Sequence, residues 1–161
     1  MSNAAAKPNS YRPLGTSGLT QALCHVLGNT CRVARVAQCF GWNAMGRGAL
    51  EAERCYLNQA EEMHGALDPI AWHIRALGGI AVQNYSDDLV RIAMPNGDTM
   101  LCLAEMTATM SDAHHEICLS ISAAMDVARD LDDLSSMNLL AARCSAHKAH
   151  FWRLNQLACD I

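Results

Sequence analysis

Four stretches of this chain carry apolar residues at alternating three- and four-residue spacing, and each extends over many helical turns. The first is the clearest: Leu19, Ala22, Leu23, Val26, Leu27, Val33, Val36, Ala37 and Phe40. At 3.6 residues per turn this spacing gathers every member on one side of a helix. No segment shows the two-residue alternation of a half-buried strand. The spacing predicts a first helix beginning near Thr16–Ser17, either of which can cap it, and ending near Gly41. A break from Gly41 to Gly48 follows. The second helix is predicted from about Ala49 to Leu77, where Gly78-Gly79 stops it, with a bend at the internal Pro69. Residues 80–98 form a crossover with a short helix over Ser86 to Ala93 and a turn at Pro95-Asn96-Gly97. The third helix is predicted from about Thr99 to Arg129 and the fourth from about Leu134 to Ala158, joined by the acidic turn Asp130-Leu131-Asp132-Asp133.

Four long helices, short turns and one long crossover describe an all-α, ferritin-like four-helix bundle with a short helix in the crossover. Residues 1–15 lack periodicity and read as a flexible N-terminal arm, leaving 16–161 as one bundle domain. An apolar fraction of 51% in 161 residues suffices for a single core. Twelve Lys and Arg against sixteen Asp and Glu give a net charge of −4, which argues against a general nucleic-acid binder. No apolar run reaches the ~20 residues of a membrane span. The polar first residues lack a signal-peptide core, so a cytoplasmic protein is expected. The eight cysteines are scattered, with no Cys-x-x-Cys pair, and are expected to be reduced core thiols.

Bundles of this kind can hold two iron ions on carboxylates and Glu-x-x-His pairs that share a helix face. Here the second helix offers Glu61-x-x-His64. The third offers Glu105 and Asp112-x-x-His115, and the fourth offers His147-x-x-His150 without a Glu. The first offers His25 and no carboxylate. That set is short of anionic oxygens for a di-iron centre. Glu61, Glu62 and His64 read as a solvated face, and the adjacent His114 and His115 diverge by about 100°. His147 and His150 could share a metal or face solvent. Asp126, Asp130, Asp132 and Asp133 concentrate charge at one turn. Around an oligomer axis they would form a cation funnel; on a lone subunit they are an ordinary wet turn.

The segment Gly41-Trp42-Asn43-Ala44-Met45-Gly46, and the helix end from Asp68-Pro69-Ile70 through Arg75-Ala76-Leu77-Gly78-Gly79, resemble the Dps-type miniferritins, the starvation-induced DNA-binding proteins of bacteria. Phe151-Trp152-Arg153-Leu154 is similar to that family's last helix end. The resemblance implies a homo-dodecameric cage that takes up Fe(II), oxidises it with peroxide and stores the ferric mineral. It also implies a ferroxidase site between two subunits, built from two His and an Asp of one chain and an Asp and a Glu of the other.

Mapped onto those positions, this sequence places Gly41 and Glu53 where the two His stand and Leu57 where the first Asp stands. Asp68 is kept, and Trp72 stands where the Glu would be. The expectation is a cage for iron storage or detoxification whose ferroxidase ligands are largely lost. Asp68 and Glu53 remain as residual metal ligands, and ferroxidase activity is left open. The alternatives are a non-catalytic structural, DNA- or partner-binding cage packed shut by Gly41, Leu57 and Trp72, or a relocated metal site on His64, Asp68 and His73 or on His147 and His150. Direct DNA binding is expected to be weak or absent. The arm carries only Lys7 and Arg12, and twelve such subunits would total roughly −48.

Overall fold

The computed structural model describes residues 18–81, 92 and 99–160. The described part is four α-helices: α1 (Gly18–Asn43), α2 (Ala49–Ala76), α3 (Leu103–Asp130) and α4 (Leu134–Asp160). The predicted arm, the Thr16–Ser17 cap, most of the crossover helix and the Pro95-Asn96-Gly97 turn lie outside the described residues. Ile92, within that crossover, is helical and packs against the core. α1 packs on α2 and on α3, and α4 packs mainly on α3. No helix among the described residues is long and apolar enough to cross a membrane.

The stripe read from α1 is what the fold buries, with Leu23, Val26, Leu27, Val33, Ala37 and Phe40 fully enclosed. α1 runs two residues past its predicted end. Gly41 is helical and buried, and the Asn43 amide closes the last turn by donating to the Cys39 carbonyl at 2.8 Å. α2 is continuous through Pro69. It ends in a Schellman arrangement: Gly79 N–H reaches the Ile74 carbonyl and Gly78 N–H the Arg75 carbonyl, with Gly78 at φ 80°. α3 begins about four residues later than predicted. Cys102 caps it, and Glu105 reaches back to the Cys102 N–H at 2.8 Å. α4 starts at the predicted residue because the Asp133 carboxylate accepts the Ser136 N–H at 3.0 Å.

The core is two apolar clusters, one at each end of the bundle. One joins Val33 to Phe40 of α1 with Ala52 to Met63 of α2, Leu103 to Ala113 of α3, and Leu154 and Leu157 of α4. The other joins Leu19 to Leu27, Ala66 to Ile74, Ile117 to Ala128, and Leu140. The cysteines correct the sequence reading. All eight are free thiols, but only Cys31 is fully buried; Cys102 and Cys159 are exposed and the other five are half-buried. Larger aliphatic and aromatic side chains hold the stripe centres, so the thiols fall on the flanks.

Candidate functional site

The face that the resemblance marks for metal is apolar where it is tight and polar only where it is open. Gly41 and Leu57 meet across α1 and α2. A Cβ at Gly41 would lie 2.6 Å from the Leu57 Cδ2 atom, so the Leu57 side chain occupies the space a larger residue would need. Glu53 and Asp68 are both exposed, and Trp72 is 70% exposed on the same helix. Trp42 is equally exposed just beyond Gly41.

Between the two apolar clusters lies a buried polar layer to which every helix contributes. α1 gives Thr30, whose hydroxyl donates to the Val26 carbonyl. α2 gives Gln59 and Glu62, α3 gives His114, and α4 gives Arg143, His147 and His150. His114 and His147 are fully buried, and His150 is nearly so. The His114 ring lies 5.2 Å from the His147 ring and 5.3 Å from the His150 ring, centre to centre. Arg143 grips both oxygens of Glu62.

The protons in this layer follow from the partners. Gln59 presents its amide oxygen to His114 Nε2 at 2.9 Å, so that nitrogen carries the hydrogen. His114 Nδ1 must then accept, and His147 Nδ1 donates to it at 2.9 Å. His150 Nε2 donates to the Glu62 carboxylate at 3.3 Å. His114 is satisfied at both nitrogens in the neutral form, whereas His147 and His150 each use one. Among the described residues, three buried side-chain polar atoms have no partner: Arg143 Nε, His147 Nε2 and His150 Nδ1. The two ring nitrogens are bare acceptors in this assignment.

Electrostatics keep the imidazoles neutral. Burial pushes His114 down to about 3, assisted by His150. Burial also pushes His147 down to about 3, assisted by His114 and Arg143. His150 is lowered by burial, with Glu62 pulling the other way. Burial raises Glu62, but Arg143 and His150 more than offset this and hold it below the usual carboxylate value. Glu62 and Arg143 already balance each other's charge. A divalent cation here would leave buried charge uncompensated. Among the described residues, no three His, Cys, Asp or Glu side chains are grouped to hold a metal ion.

These positions correct several readings from sequence. Glu61 and His64 lie on a solvated face, but Glu62 turns inward to Arg143 and His150. His114 and His115 do diverge: one is buried and the other exposed. His147 and His150 face the core rather than solvent, and each ring turns one nitrogen to a different partner. His64 and Asp68 are exposed, whereas His73 Nε2 donates to the Ser136 hydroxyl at 2.7 Å, which in turn donates to Asp133. In the acidic turn, Asp126 pairs with Arg129 at 2.6 Å and Asp133 caps α4, while Asp130 and Asp132 are exposed. A signal for the layer was present in α4: Ser136, Leu140, Arg143, His147, His150, Leu154 and Leu157 share one helical stripe, and all are buried. Polar residues lying on an apolar period mark a buried polar layer.

No family model and no curated protein sequence matches the chain. Solved structures do. DpsC from Streptomyces coelicolor superposes with a TM-score of 0.75 at 20% identity, covering 86% of this chain and 81% of that one. Dps from Staphylococcus aureus gives 0.75 at 16% identity, over 87% and 94%. Dps from Listeria monocytogenes gives 0.77 at 11%, over 91% and 97%. With its helix order and core now described, the chain has the Dps-type miniferritin fold.

Proposed function

We propose that this protein is a subunit of a miniferritin-type cage that sequesters and stores iron without the ferroxidase site usual between subunits of that family. The observation that carries the reading is the Gly41–Leu57 contact. Gly41 has no donor atom, and the space beside it is filled by a hydrocarbon side chain that has none either. Trp72 adds an indole that supplies no lone pair to a cation. The remaining carboxylates, Glu53 and Asp68, are exposed and can attract Fe(II), but two hydrated oxygens without imidazole make a weak and unselective iron site. In this reading iron is cargo. It is drawn to the shell by carboxylates, with Asp130 and Asp132 as the exposed members of the acidic turn.

The test is Fe(II) oxidation by peroxide, followed by iron analysis of the purified assembly. Slow, non-saturating oxidation that Asp68→Ala leaves unchanged, together with iron retained by a large homo-oligomer, is the expected result. Rapid, saturable oxidation abolished by Asp68→Ala would overturn the loss of the oxidation site. Failure of the assembled protein to retain any iron would overturn storage.

A further inference from the structure

We propose that Cys118 and Cys144 are a thiol pair that excess peroxide closes to a disulfide, stapling α3 to α4 beside the imidazole layer. The placement follows from helix geometry. Cys118 lies one turn beyond His114 on α3, and Cys144 lies one turn before His147 on α4. The two helices run antiparallel from a tight turn, and the His114 and His147 rings meet at 2.9 Å. The two cysteines therefore face each other one turn nearer that turn. The Cys144 thiol lies close enough to Cys118 to act on its ionisation.

A second feature concerns access. A solvent-open cleft of about 140 Å³ is lined by His114, His115, Cys118, Lys148 and Phe151. Its wall is almost wholly apolar, and it opens Cys118 to a small oxidant. Several other thiols are engaged by carbonyls or amides. Cys24 donates to the Ile80 carbonyl and Cys159 to the Asn155 carbonyl, while Cys39 and Cys55 receive Asn43 and Gln59.

In the reaction, Cys118 sulfur attacks one peroxide oxygen and the O–O bond breaks. This gives a sulfenic acid and one water. Cys144 sulfur then attacks the sulfenic sulfur, the S–O bond breaks, and a second water leaves. The two thiols lose two electrons and two protons, and peroxide is reduced to two waters. Burial and the neighbouring thiol push Cys118 up to about 11, with Lys148 pulling the other way, so the reaction is slow and needs excess peroxide.

The experiment uses the full chain, iron-free and reduced. It is treated with excess hydrogen peroxide, alkylated, digested and mapped by mass. The expected result is a linked peptide pair containing Cys118 and Cys144, a loss of two titratable thiols, and a higher melting midpoint that dithiothreitol reverses. Cys118→Ser and Cys144→Ser each remove the shift. If either variant fails to fold, the wild-type peptide map decides alone. Both cysteines still alkylated after other thiols have oxidised would overturn the proposal. So would either cysteine passing singly to sulfinic acid, or linking elsewhere.

Discussion

At the residue scale, Gly41 and Leu57 are one unit. Each stands where the family resemblance implies a ligand, and the structure shows why they go together. A Cβ at Gly41 would press within 2.7 Å of both Leu57 Cγ and Cδ2. Gly41→Ala alone sets a helix-propensity gain of about 1 kcal/mol against an overpacking cost of about 1–3 kcal/mol. Near-neutral to mildly destabilising is the expected net effect in urea unfolding. In a Leu57→Ala background the clash is gone, and the same Gly41→Ala change becomes stabilising by about 1 kcal/mol. The difference between backgrounds measures the coupling. Equal effects in both backgrounds would mean that Leu57 does not fill the Gly41 notch. The pairing was half legible: sequence identified both positions as unable to bind metal, but their direct contact is a cross-helix fact that local spacing does not encode.

At the element scale, the helices themselves were legible because amphipathic period and end signals agree. Leu77-Gly78-Gly79 shows why. Gly78 takes φ 80°, which a side chain adopts only at a cost. A Cβ at Gly79 would come within 2.9 Å of Thr20 Cγ2 and 3.0 Å of Ile74 Cγ2. Gly78→Ala should destabilise by about 1 kcal/mol through backbone conformation. Gly79→Ala should cost more, because it forces α1 and the end of α2 apart. Urea midpoints in that order check the assignment; the reverse order would place the tight contact elsewhere. The start of α3 was less legible. Thr99 is a stronger capping type than Cys102, yet Glu105 selects Cys102 by returning to its N–H. The layer on α4 was hidden for a different reason. Arg143, His147 and His150 are ordinary surface residue types, and only their place on the Leu140–Leu154 stripe distinguishes them.

At the scale of the whole molecule, the polar layer ties α2, α3 and α4 together through its hydrogen bonds, so its protonation state bears on the stability of the bundle. Free imidazoles titrate near 6.5, whereas His114 and His147 are held to about 3 by burial. Between those values the unfolded chain binds more protons than the folded one. Stability contributed by neutral imidazole is therefore fully present above about pH 6.5 and is lost as pH falls through the window. The slope is on the order of 1 kcal/mol per pH unit for each group that fully resists protonation. The charged groups facing the pair do not cancel this. Glu62 from α2 is held ionised by Arg143 from α4, and His150 adds a like charge if protonated. Ordinary carboxylates titrate near 4, so the interval from about pH 6.5 to about 5 isolates the imidazoles. Urea midpoints should be flat above neutrality and fall steeply across that interval. Replacing His147 with Gln removes one of the three depressed imidazoles and should shallow the fall, even if the variant is less stable at pH 7. A wild-type midpoint that stays level down to pH 5 would mean the layer accepts protons while folded. The deep burial that separates the two apolar clusters would then be wrong.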